Sequence, residues 1–76
     1  MAVNRVPRGT FVRRVRAFNW MAGHITGHVE TPEDQRLGVV RYLIQWEVSK
    51  PSELHARDEF RVIKDQDAAR ERWMAR

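Results

Sequence analysis

The chain contains no cysteine, which excludes a disulfide framework and thiolate metal sites and leaves the redox compartment open. Long apolar runs are missing too. No stretch exceeds three consecutive hydrophobic residues, so nothing reads as a membrane-spanning helix. The basic N-terminus lacks the apolar stretch of a secretory signal, and a cytoplasmic location is the expectation. There is no GxGxxG or phosphate-binding loop, and no nucleophile elbow frames Ser49, Ser52 or the threonines. Acidic residues are absent before Glu30, whereas Arg5, Arg8, Arg13, Arg14 and Arg16 all precede it.

What remains is one small folded domain. Its 76 residues are 42% hydrophobic, with three Trp, three Phe and one Tyr, too apolar for a disordered chain and too short for two cores. A domain of this size buries only about 60% of its unfolded surface, so every apolar side chain counts. The net charge of +4 is local: residues 30–76 hold nine Lys or Arg against ten Asp or Glu, so the excess lies in the N-terminal arginines. A local positive field favours encounter with polyanions, and arginine offers a planar fork suited to phosphate.

Residues 1–8 contain Pro7 and few apolar positions, and read as a flexible basic arm. Residues 10–18 have strand character, with an imperfect alternation that suggests a bulge or an edge position. Residues 23–30 alternate cleanly. Ile25 and Val29 point inward with Gly23 and Gly27, while His24, Thr26, His28 and Glu30 point outward. Residues 31–38 (TPEDQRLG) are polar, bounded by Pro and Gly, and read as a loop. Residues 39–48 are the strongest strand, with Val40, Tyr42, Ile44, Trp46 and Val48 on one face. Further short strands are expected at 53–55 and 60–63, with one helical turn at 56–59. Asp65 or Asp67 caps a final helix in which Ala69 and Trp73 share a surface. About twelve residues is marginal for an isolated helix, so Trp73 has to dock on the domain or on a partner.

Five short strands, a polar loop after the second and a helical turn before the fifth resemble an SH3-like barrel over residues 9–63. The fold expected is therefore mainly β: a five-stranded SH3-like barrel with a basic N-terminal arm at 1–8 and a short C-terminal α-helix at 64–76. Three families within that fold look similar. Tyr42-Leu43-Ile44-Gln45-Trp46-Glu47 resembles a stretch of chromo and Tudor-like readers, whose tryptophan helps build a methyl-lysine cage by cation–π attraction. Val48, Ser49 and Lys50 follow here, so the cage lacks its second aromatic. Residues 20–27, with 60–63, look like the type II plasmid dihydrofolate reductases, which tetramerise around one pore. Their Val-Gln-Ile-Tyr pore motif would fall on Ser52, Glu53, Leu54 and His55, where a carboxylate would repel anionic folate and NADPH. Arg8-Gly9-Thr10, Trp20 and residues 55–60 look like positions of the electron-transport accessory barrels. That resemblance implies a docking barrel without chemistry of its own.

Metal and acid–base chemistry find little support. His24 and His28 would share a face on a helix, but on a strand that spacing is about 13 Å, too far for one zinc ion. They read as surface histidines. Glu33-Asp34 and Asp58-Glu59 are sequence neighbours that point apart and read as solvated turns or caps. The expectation is thus a non-catalytic binding module without cofactor or metal. It contacts nucleic acid or a nucleoprotein complex through Arg5, Arg8, Arg13, Arg14, Arg16 and Arg41, with Trp20 stacking on an unpaired base. Four engaged phosphates would give a log–log salt slope of about −3.6 on duplex. The alternative is a protein-docking accessory subunit or inhibitor that uses the helix face carrying Trp73 and Met74, or an exposed strand edge.

Overall fold

The computed structural model describes residues 5–16 and 21–75. Five antiparallel strands form one sheet in the order β4-β3-β2-β1-β5: β1 Phe11–Arg14, β2 Ala22–Val29, β3 Arg41–Gln45, β4 Glu53–Ala56 and β5 Phe60–Val62. Only the 3-10 turn Arg57–Glu59 separates the edge strands β4 and β5. Three residues cannot cross a flat five-stranded sheet at ~4.8 Å per strand, so the sheet is curled and the end of β4 lies near the start of β5.

Each face of the sheet carries a core. Val12, Ile25, Val40, Tyr42, Ile44, Trp46 and Phe60 pack on the concave side. Phe11, Ala22 and Ile63 pack on the other side beneath helix α2 (Gln66–Met74), which contributes Ala69 and Trp73. Two cores explain why residues 10–18 alternate poorly. Phe11 and Val12 are both buried because the faces to which they point are both covered. β1 is neither bulged nor an edge, since it pairs with β2 on one side and β5 on the other.

The bulge lies in β2. Ile25 faces Ile44, Gly27 faces Leu43, and Thr26 is the extra residue between them. One inserted residue reverses every later side chain. His28, expected outside, therefore pairs with Tyr42 on the core side, with ring centroids 5.2 Å apart, and Val29 sits beside Arg41. Thr26 Oγ1 donates to the Leu43 carbonyl at 3.2 Å, so the irregularity is hydrogen-bonded. Val48, expected to extend the β3 face, lies beyond the strand and is exposed.

Residues 31–38 are not a loop. Helix α1 (Pro32–Leu37) starts at Thr31, whose hydroxyl accepts from the Asp34 N–H while the Asp34 carboxylate accepts from the Thr31 N–H. This is a capping box with Pro at the first helical position. Gly38, at φ +70°, closes the helix in the left-handed region. Residues 5–8, expected as part of a flexible arm, lie along the sheet. Val6 packs against the concave core, its N–H donates to Tyr42 Oη at 3.3 Å, and its carbonyl accepts from His28 Nε2 at 2.7 Å.

The histidines expected at the surface belong to the fold. His24 packs edge-on against Trp73 at 4.8 Å and lies 5.7 Å from the Phe11 ring, with a buried Nδ1 that has no hydrogen-bond partner among the described residues. Burial lowers its pKa below the ordinary value, because the charged ring loses hydration under α2. Unfolded chains then bind the extra proton first. Stability contributed by neutral His24 is complete above pH ~6.5 and is lost as pH falls through the lowered folded value. Melting temperatures measured from pH 7.5 to 5 are expected to fall in the wild type, and less in His24→Phe. Equal slopes in the two proteins would refute this assignment.

Candidate functional site

Strand periodicity divides the arginines of β1 between the two faces. Arg13 follows Phe11 onto the α2 side, and Arg14 follows Val12 onto the concave side. In the β1–β5 register Arg13 stands directly opposite Arg61. Like charges in direct cross-strand register are destabilising, and among the described residues neither guanidinium has a carboxylate within 4.0 Å. Arg16 follows at the end of the same segment and is likewise without an acidic partner among the described residues.

Arg14 is held differently. Its guanidinium lies 4.7 Å over the Trp46 ring, and its Nη2 donates to Glu53 Oε1 at 3.1 Å. Trp46 itself is buried, and its Nε1–H donates to His55 Nε2 at 3.1 Å. With Nε2 accepting, the neutral imidazole carries its proton on Nδ1 and donates to Glu59 Oε2 at 3.2 Å. Glu59 Oε1 accepts from the Ala56 N–H at 2.9 Å. That backbone hydrogen bond first, and His55 second, hold the Glu59 carboxyl below the usual range. The chain Arg14–Trp46–His55–Glu59 therefore ties β1, β3, β4 and the 3-10 turn together. It borders a cleft of about 540 Å³ lined by Arg14, Val15, Arg16, His55, Asp58 and Glu59.

Other arginines expected at a common surface are dispersed. Arg5 is paired with Glu30, and Arg41 lies 3.6 Å from the buried Asp34 carboxylate. Arg8 sits on the turn with Gly9, beyond the N-terminal end of β1. Trp20 lies outside the described residues. Trp73, expected as a docking anchor, faces into the fold at 6% exposure, whereas Met74 is 75% exposed. Sequence reasoning missed Arg61 because its neighbour Arg13 is 48 positions away. The Trp46–His55–Glu59 relay was equally hidden. The i, i+4 spacing of His55 and Glu59 spans a strand end and a turn, and the pair meets only because Arg57–Glu59 coils.

No group of three or more His, Asp or Glu able to hold a metal ion occurs among the described residues. No helix among the described residues is long and apolar enough to cross a membrane. No protein-family model, curated protein or solved structure matches the chain.

Proposed function

We propose that the chain is a non-catalytic module that binds nucleic acid at the corner where β1, β5 and the 3-10 turn converge. The observation that carries this reading is the Arg13–Arg61 pair, two cations in direct register without a neutralising carboxylate among the described residues. Such an arrangement costs stability in the free protein and is relieved when a phosphate sits between the two forks. Arg16 extends the positive edge, and the proposed interface is Arg13, Arg16 and Arg61, with Arg14 on the opposite face of β1. Arg5 and Arg41, engaged with Glu30 and Asp34, drop out of it. The strand order, with a helical turn joining the two edges, supports reading the curled sheet as an SH3-like barrel.

With Arg14 occupied by Glu53, three arginines are left for phosphates. The expected log–log salt slope is about −2.1 on single strands and about −2.7 on duplex. Arg61→Ala is expected to shrink the single-strand slope by about 0.7. Binding titrations at several salt concentrations measure both quantities. A flat salt dependence would end this reading. Protein docking is a second reading, favoured by the exposed Leu54 on edge strand β4 and by Met74. A partner retained after nuclease treatment of an affinity-purified complex would favour it.

A further inference from the structure

We infer that the cleft at the end of β1 accepts one unstacked guanine base, with Arg14 as its stacking surface and Asp58 as its reader. The inference rests on the nucleic-acid reading above and makes it specific.

Arg14 is a preorganised plane. One face lies over Trp46 and Glu53 holds an edge, yet the side chain retains 44% exposure and lines the cleft. Its uncovered face is available to a planar ligand, and arginine planes stack with splayed-out bases. Trp46 cannot serve directly, because it is only 4% exposed beneath the guanidinium. The cleft volume of about 540 Å³ suits a single nucleotide better than a duplex.

The acidic residues of the lining decide which base. Glu59 is committed to Ala56 and His55. Asp58 is exposed and has no side-chain hydrogen bond or ion pair among the described residues, so both its oxygens can accept. A carboxylate reads a base edge in bidentate fashion only where two donors are adjacent. Guanine offers N1–H beside its 2-amino group. Adenine and cytosine each place a ring-nitrogen acceptor beside their amino group, and uracil flanks its single N–H with two carbonyls. Only guanine offers Asp58 two adjacent donors on its pairing edge. Arg16, which also lines the cleft, is assigned to the adjoining phosphate.

The test compares a fluorescein-labelled oligouridine with the same strand carrying one central guanosine, adenosine or cytidine, by fluorescence anisotropy on the full chain. Guanosine is expected to tighten binding about tenfold, in line with the discrimination of a bidentate base contact. The preference should appear in ribo- and deoxyribo-strands alike, since no cleft residue is assigned to the 2′-hydroxyl. Asp58→Asn keeps the shape but offers one donor and one acceptor. It should erase the guanosine preference, so that the strands carrying guanosine, adenosine and cytidine bind alike. Arg14→Lys keeps the charge and loses the plane, and should weaken every strand about fivefold or more. Salt-dependent binding with equal affinity for all four strands would overturn the guanine assignment and spare the phosphate-binding reading. An Asp58→Asn protein that still prefers guanosine would overturn the role of Asp58. No binding to any strand would overturn both proposals.

Discussion

Replacing Trp73 with alanine is expected to lower the unfolding free energy by about 3–5 kcal/mol, the range for removing a buried aromatic. Trp73 is 6% exposed and closes the second core, with the Phe11 ring 6.4 Å away and the His24 ring at 4.8 Å. No other aromatic of α2 shares the load, because the remaining buried residue of that helix is Ala69. A domain of this length has on the order of 4–11 kcal/mol in total, so the loss is a large part of its stability. The other end of α2 is also anchored. Gln66 accepts from the Phe11 N–H through Oε1 at 2.7 Å and donates to the Phe11 carbonyl through Nε2 at 2.9 Å, as a neighbouring strand would. Removal of residues 65–76 should consequently unfold the protein rather than trim a docking appendage. Urea denaturation followed by circular dichroism measures the effect. A loss below about 1 kcal/mol for Trp73→Ala would show that α2 is not part of the cooperative unit.

Gly23→Ala is expected to cost about 1–3 kcal/mol by overpacking. A Cβ at this position would stand 2.6 Å from Trp46 Cε3, 2.9 Å from the Gln45 carbonyl oxygen and 2.9 Å from Ile44 Cγ2. Gln45 pairs with His24 in the β2–β3 ladder, so its carbonyl cannot retreat without loosening that register. The Trp46 ring must then tilt, and its hydrogen bond to His55 and its contact with Arg14 are strained together. The melting temperature should fall by roughly 4–8 °C for each kcal/mol in a domain of this size, with weaker nucleic-acid binding at temperatures where the variant remains folded. Gly27→Ala is the control. Its Cβ would meet only Leu43 Cδ1 at an ordinary 3.5 Å, so a change within about 0.5 kcal/mol is expected. If the two variants melt together, close approach of the Trp46 ring is not what requires glycine at position 23.

Local signals in the chain carried much of the fold. The alternation of Val40, Tyr42, Ile44 and Trp46 marked the buried side of β3 and its flanks, and all four are buried. The short strands, the helical turn before Phe60 and the Ala69–Trp73 face of α2 could be read from spacing, because each depends on neighbours a few residues apart. Helix α1 was misread as a loop although its signal is local. Thr31, Pro32 and Asp34 form a capping signature followed by Gly38, which the Pro and Gly at its ends disguised as a loop.

Everything that depends on distant pairing had to come from the folded molecule. Thr26 bulges because β3 presents one residue fewer than β2 over the same span, and no feature of His28 or Val29 announces the reversal that follows. The amino-acid order alone determined that this is a small, mainly β chain with its positive charge concentrated early. It also specified which residues of β3 are oily on one side. Tertiary structure alone decided which arginines meet acids and which face one another, because charge pairing depends on separation in space. Strand register brings Arg13 to Arg61 and a curled sheet brings Arg14 to Glu53 and Trp46.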